Sequence, residues 1–290
     1  MAADSKYNNG LKWQNAPNDG LAKGFTDSVY WLRFSVDNIS PEATRWYLEV
    51  RYPILDSIEY FIPDSEGEYT KEIAGDAYPF EQRDIDYRNI VFLHNTPANE
   101  SQTFYMRIDT SSSMFVPLQI WPNDTFFHEI DKVKLLLGIL YGIVILALFI
   151  SAVNAVFLRD VMYIWLSGIF ICFFLYLGGI KGVAFQALWP NSLYWQKISI
   201  PFFMNMSVAF GFLYCRAYIN LRVLSLKLDL SIKVLAALAF ATSLLCFIIE
   251  YEYIISISTI VTMLSQVICL SIGLYSWYKG NTAARLLICM

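Results

Sequence analysis

Five long runs without a charged residue constrain this chain more than any other feature. They comprise residues 135–157, 161–180, 198–215, 234–249 and 253–278. A helix needs about 20 mostly apolar residues to cross a bilayer. The fourth run reaches that length only if residues 230–233 contribute, with Lys233 extending its amine to the interface. Because a soluble core does not contain so many uncharged runs of this length, the sequence predicts five membrane-spanning helices.

The ends of the sequence lead to a further expectation. Residues 283–290 begin a sixth apolar run, and eight residues of helix cover only about 12 Å. No apolar run precedes residue 135, although the first 130 residues are polar and would have to cross the membrane. We therefore expect both ends to be cut from a longer protein, with further spans after the fifth.

Charge divides the chain into two halves. Residues 1–130 carry 10 basic and 20 acidic side chains, whereas residues 131–290 carry 11 basic and 5 acidic ones. This balance excludes a nucleic-acid binder that relies on global basicity. All five cysteines lie in the second half, so the first half must fold on its own core without disulfides.

The basic residues also predict the orientation in the membrane. With the N-terminal half outside, two lysines fall in the outer loops, Lys181 and Lys197, whereas Lys132 and Lys134 oppose this arrangement. Seven basic residues then fall in the inner loops: Arg159, Arg216, Arg222, Lys227, Lys233, Lys279 and Arg285. We expect a multi-pass protein of the inner (plasma) membrane with an extracytoplasmic N-terminal domain.

The polar half has the pattern of an antiparallel β-sandwich. Short β-branched and aromatic runs are separated by turn signals, at residues 28–36, 45–52, 56–62, 89–93, 103–108 and 116–121. In one run the side chains alternate, with Trp46, Leu48 and Val50 on one face. The predicted architecture is an antiparallel β-sandwich or barrel at 1–124, a helical stalk at 125–134 and a transmembrane helical bundle at 135–290. The stalk is interpreted either as a rigid relay or as an interfacial anchor.

Catalytic motifs are absent from the polar half of the sequence. Its histidines, His94 and His128, are 34 residues apart, and there is no metalloprotease, nucleophile-elbow or phosphate-loop motif. Asp84 and Asp86 share a spacing that would suit a glycosidase pair, but in so acidic a chain they are more typical of a solvated loop. We expect no cofactor and no metal site.

Aromatic residues suggest a ligand site instead. Aromatic faces stack on sugar rings, and a neighbouring arginine can hold a carboxylate or a hydroxyl. Arg83 lies between two aromatic positions, Phe80 and Tyr87, and Trp46 completes the candidate set. The competing interpretation is that most of these rings belong to the core.

The predicted spans lack ionisable residues near their centres, which argues against a proton-coupled pump. Gly138 with Gly142, and Gly178 with Gly182, have the spacing that allows close helix approach, so a homodimer is a candidate state. The same spacing also arises by chance in glycine-containing spans.

The order of several motifs resembles one family. They are VYWLR at 29–33 followed by Asn38, WYLEV at 46–50, Pro79-Phe80 with Arg83, FYMR at 104–107, SSS at 111–113, Pro117-Leu118, and Gly280 with ARLL at 284–287. In this order the chain resembles the bacterial seven-transmembrane receptors with diverse intracellular signalling modules that carry the type-2 extracellular domain. The resemblance implies a jelly-roll ectodomain likened to carbohydrate-binding modules, a seven-helix bundle and a cytoplasmic output such as a cyclase, kinase or phosphatase. It supplies no catalytic residue in this part of the chain.

These observations predict a sensory receptor without enzyme activity in the given residues. Its partners would be the lipid bilayer and a small extracytoplasmic ligand, with a carbohydrate as the favoured class. The alternatives are a transporter or channel with an accessory domain, a glycan hydrolase that uses Asp84, and a structural anchor that binds a partner protein through the sandwich.

Overall fold

A computed structural model of the chain describes residues 13–15, 20–64, 66–281 and 284. The described part forms two compact units. The first unit contains the chain up to Val133 together with the segment Ile180–Gln196, and the second contains Lys134–Gly179 and the chain from Lys197 onward. The expected sixth run, residues 283–290, lies outside the described residues apart from residue 284.

Nine strands are described in the first unit. They are β1 (Leu21–Gly24), β2 (Tyr30–Asp37), β3 (Thr44–Val50), β4 (Ser57–Pro63), β5 (Tyr69–Ala74), β6 (Ile90–Thr96), β7 (Ser101–Asp109), β8 (Met114–Val116) and β9 (Leu118–Pro122). All pairings are antiparallel. The sheets have the orders β2-β7-β4-β5, β6-β3-β9 and β1-β8. The predicted all-β N-terminal domain is therefore confirmed, although the sequence pattern did not reveal β1, β5 and β8 as separate strands.

The core lies between the four-stranded and three-stranded sheets. Each strand contributes alternate side chains, as the period of two in a strand requires. The four-stranded sheet supplies Ile58, Tyr60, Phe104, Met106 and Ile108, and the three-stranded sheet supplies Trp46, Leu48, Val50, Ile90 and Phe92. Leu21, Met114 and Val116 of the two-stranded sheet join the same cluster. Apolar burial on this scale stabilises the domain without a disulfide.

The second face of β3 is also covered. Tyr47 stacks on Phe126 with ring centroids 4.2 Å apart, and its hydroxyl group donates a hydrogen bond to Asn123 Oδ1 at 3.2 Å. Glu49 on the same face is buried and accepts hydrogen bonds from Asn89 and from Trp121 Nε1. The covering element is the start of helix α1 (Asn123–Leu158), which continues unbroken into the first predicted span.

Seven helices are described. They are α1 (Asn123–Leu158), α2 (Val161–Ile180), α3 (Val183–Ala187), α4 (Leu193–Ile219), α5 (Leu221–Leu224), α6 (Leu226–Leu245) and α7 (Tyr251–Tyr278). Five of them, α1, α2, α4, α6 and α7, are long and apolar enough to cross a membrane. The fourth expected span begins earlier than its uncharged run, because α6 includes residues 226–233 as its length requires.

The second unit is held by apolar packing and by a few buried polar contacts. A cluster joins α4, α6 and α7 through Phe212, Ala236 and Ile272 among others. Asn205 of α4 donates a hydrogen bond to Ser258 of α7 at 2.7 Å. This bond satisfies one donor of the Asn205 side-chain amide. Burying that amide in an apolar interior without a partner would cost free energy.

His94 makes the stability of the sandwich depend on pH. The ring lies 4.5 Å from Trp46 and 5.2 Å from Phe104, centroid to centroid, and burial lowers its pKa to about 4. The unfolded chain has the ordinary pKa of about 6.5, so it binds a proton more readily than the folded chain between these values. Stability is therefore fully present above about pH 6.5 and falls as the pH drops toward 4, by at most about 3 kcal/mol.

We expect the thermal unfolding temperature of the β-domain in the detergent-solubilised chain to fall between pH 6.5 and 4. His94→Phe should flatten this dependence because it removes the titrating group. The control is His128→Asn, at the other histidine, which is exposed. An unchanged pH slope in His94→Phe would contradict the assignment.

The cover of β3 can be tested with two neighbouring phenylalanines. Phe126 is 1% exposed and Phe127 is 55% exposed. Removing a buried phenylalanine side chain costs about 3–5 kcal/mol. We therefore expect Phe126→Ala to speed hydrogen exchange throughout residues 123–131, whereas Phe127→Ala should change it little. Equal effects of the two substitutions would show that the start of α1 is not fixed by this ring.

Candidate functional site

The segment between β5 and β6 contains three of the four predicted site residues. After Pro79 the chain forms a single 3-10 turn, Phe80–Gln82, and then returns toward β6. Arg83 closes this return, because its Nη1 atom donates hydrogen bonds to the carbonyl oxygens of Tyr87 at 3.3 Å and Arg88 at 2.8 Å. We call residues 83–88 the Arg83 turn.

The guanidinium group of Arg83 lies among aromatic rings. Its central carbon is 4.6 Å from the centroid of Phe80 and 5.7 Å from that of Phe185. Both are cation–π distances. Burial lowers the pKa of Arg83 to about 10, with Asp76 acting in the opposite direction. The side chain therefore keeps its positive charge at neutral pH.

Phe185 belongs to the segment Ile180–Gln196, which joins α2 to α4 in sequence and which we call the connector. The connector is part of the same compact unit as the sandwich. Phe185 is 1% exposed and packs edge-on against Phe80, with centroids 5.6 Å apart. The sequence pattern gave no sign of this packing, because the connector reads as a short loop between two spans.

Hydrogen bonds attach the connector to the Arg83 turn and its neighbours. Arg88 Nη1 donates to the carbonyl oxygen of Lys181 at 3.1 Å, and Gln186 Nε2 donates to Asp86 Oδ1 at 2.8 Å. The backbone amide of Phe80 donates to the carbonyl oxygen of Pro190 at 3.1 Å. Backbone groups on both segments take part in these hydrogen bonds. The contact therefore depends on this backbone geometry as well as on the burial of apolar area.

Gly182 allows the close approach of these two segments. Its φ of +72° lies in the left-handed region, where glycine carries no steric penalty. A Cβ atom at this position would lie 2.8 Å from the carbonyl oxygen of Arg88 and 2.8 Å from Pro53 Cβ. Any other residue would therefore push the connector away from the Arg83 turn.

The other side of the Arg83 turn faces the start of α1. Tyr87 is buried in a cluster with Tyr47, Phe126 and Ile130, and its ring meets Phe126 edge-on at 6.4 Å. Burial raises the pKa of the Tyr87 hydroxyl group. One short turn thus contacts both segments of this unit that continue in sequence into membrane-spanning helices.

The structure brings Phe80, Arg83 and Tyr87 together but places Trp46 elsewhere. Trp46 lies in the sandwich core and donates a hydrogen bond from Nε1 to Thr96 Oγ1 at 2.9 Å. The rings of Phe80, Tyr87 and Trp46 are all buried. Asp84 and Asp86 are exposed. Within the described residues, no group of three histidine, cysteine or acidic side chains could hold a metal ion.

Both halves of the chain match known families. The family described as 7TMR-DISM extracellular 2 matches residues 3–122, and the family described as 7TM diverse intracellular signalling matches residues 134–289. The chain belongs to the 7TM diverse intracellular signalling family. The family resemblance inferred from the order of the sequence motifs is thereby confirmed.

This membership gives the chain its general role. It is a multi-pass membrane protein with an extracellular N-terminal domain, of a family of 7TM receptors that combine an extracellular sensor with intracellular signalling. The predicted localisation is confirmed at this level. Comparison with curated proteins and with solved structures returns no match.

Replacing the connector glycine should loosen the contact with the Arg83 turn. We expect Gly182→Ala to speed hydrogen exchange several-fold in residues 180–190 and 83–89 of the chain in lipid nanodiscs, because strain and the clash cost about 1–3 kcal/mol. Gly142→Ala is the control, since a Cβ there meets no atom within 4 Å. Identical exchange in both variants would refute the role assigned to Gly182.

Proposed function

We propose that this receptor senses a small extracytoplasmic ligand through its β-domain and passes the signal to a cytoplasmic output module. The observation that supports the proposal is the double contact of the Arg83 turn. Arg88 holds the connector, and Tyr87 packs against the start of α1. A ligand that moves this turn would act at once on two segments that continue into membrane-spanning helices.

The proposed ligand site consists of Phe80, Arg83 and Tyr87. A carbohydrate fits this set in chemical terms, since sugar faces stack on aromatic rings and sugar hydroxyl groups accept hydrogen bonds from a guanidinium group. Trp46 is left out of the proposal because it is enclosed in the sandwich core. The ring of Phe80 is covered by Phe185, so the ligand would reach it only as the connector gives way.

This coupling has a thermodynamic consequence. A ligand can shift an equilibrium between two states only by the difference between its affinities for them. If the ligand binds only after Phe185 has moved, it favours the released connector by its whole binding free energy. Tight docking of the connector then lowers the apparent affinity for the ligand, because only the fraction of molecules with a released connector can bind it.

The proposal can be tested by hydrogen exchange of the chain in nanodiscs. Exchange is compared without and with each compound of a panel of saccharides and small metabolites at millimolar concentration. We expect a binding compound to alter exchange in residues 76–89, 180–196 and 123–131 together. Arg88→Gln removes the hydrogen bond to Lys181 and loosens the connector, so residues 180–196 should exchange faster before any ligand is added and respond less to the ligand, while the response of 123–131 remains. Arg33→Gln, at an exposed arginine of β2, is the control.

Two results would count against the sensor proposal. One is ligand binding that changes exchange in residues 76–89 alone, with no response in the connector or in α1. The other is ligand-independent solute flux through liposomes that contain the chain, which would favour a transporter or channel.

A further inference from the structure

The guanidinium group of Arg83 uses only part of its hydrogen-bonding capacity. Nη1 donates to the two carbonyl oxygens of the Arg83 turn. Nε and Nη2 are also fully enclosed, and neither has a hydrogen-bond acceptor among the described residues. Buried donors of a charged group nearly always find an acceptor, because leaving them without one costs free energy.

The two remaining donors have a defined geometry. Nε–H and Nη2–H lie on the same edge of the planar guanidinium group and point in nearly parallel directions. This edge matches the two oxygens of a carboxylate, which accept both hydrogens in a bidentate pair. A single neutral hydroxyl group can satisfy only one of them at full strength.

We propose that this edge of Arg83 binds an oxyanion of the ligand, and that the ligand of the β-domain is an acidic sugar whose carboxylate pairs with Nε and Nη2. The inference rests on the proposed function, because it specifies the chemical class recognised by the same site. A sugar paired with Arg83 in this way would also contact the ring of Phe80, whose centroid is 4.6 Å from the guanidinium carbon.

The charges around Arg83 set a limit on affinity. Asp76 is buried and acts electrostatically on Arg83, and it also accepts a hydrogen bond from Gln196 Nε2 at 3.4 Å. Glu81, Asp84 and Asp86 lie on the same loop and are exposed. The negative charge of Asp76 opposes the approach of an anion, so the bidentate pair with Arg83 must supply the selectivity. Neutralising Asp76 should therefore strengthen anion binding.

The test compares two sugars that differ only at C6, where glucuronate has a carboxylate and glucose has a hydroxymethyl group. Binding of glucuronate and of glucose to the chain in nanodiscs is measured by calorimetry, with inorganic phosphate as a third probe. We expect glucuronate to bind at least tenfold more tightly than glucose. Asp76→Asn, which leaves Arg83 in place, should strengthen glucuronate binding several-fold and leave glucose unchanged.

A second variant addresses the geometry of the donor pair. Arg83→Lys keeps the positive charge but removes the parallel donors, so glucuronate binding should weaken at least tenfold. Arg33→Lys is the matched control, at an exposed arginine of β2. Hydrogen exchange of β6 and β7 shows whether each variant retains the folded sandwich.

Each outcome separates this inference from the sensor proposal. Three results would overturn the oxyanion site. They are equal affinities for glucose and glucuronate, no binding of any anion, and a glucuronate affinity that is the same in Arg83→Lys, in Asp76→Asn and in the unchanged chain. Phosphate binding as tight as glucuronate, with the same dependence on Arg83, would support the oxyanion site and identify an inorganic anion as its source. Arg83-dependent glucuronate binding without any response of the connector would keep the site and refute the sensor proposal.

Discussion

The hydrogen bonds from Arg83 Nη1 to the carbonyl oxygens of Tyr87 and Arg88 determine much of the geometry of this sensor unit. They close the return of the chain into β6 and thereby fix two neighbouring side chains on different partners. Tyr87 packs with Phe126 at the start of α1, while Arg88 holds the connector. Without the closed turn, these two attachments would have no common support.

The cost of this arrangement explains its surroundings. A buried guanidinium group is tolerated only when its donors and its charge are compensated. Phe80 and Phe185 offer their ring faces, and the turn offers two carbonyl oxygens. The compensation within the described residues is incomplete at Nε and Nη2, and that imbalance is the physical basis for proposing an anionic ligand.

The three-stranded sheet illustrates what a sequence pattern reveals and what it misses. Alternation in β3 correctly predicts that Trp46, Leu48 and Val50 face the sandwich core. It does not reveal that Tyr47 and Glu49, on the opposite face, are buried as well, because the start of α1 covers that side. Alternation describes one strand, whereas the cover comes from a helix more than 70 residues later in the chain.

The candidate site shows the same division. Local spacing indicates a site at Arg83 between Phe80 and Tyr87, and the structure brings these three residues together, whereas Trp46 lies in the sandwich core. The packing of Phe185 could not be found from the sequence, and Gly182 drew attention only for its spacing from Gly178, because a connector of ordinary composition gives no local signal of what it contacts. The sequence alone determined the membrane spans, the β-rich extracellular half and the family, since these depend on hydrophobic period, length and motif order. Only the tertiary structure decided that the connector packs on the Arg83 turn, because that contact depends on a left-handed glycine and on hydrogen bonds to backbone groups between segments about 100 residues apart.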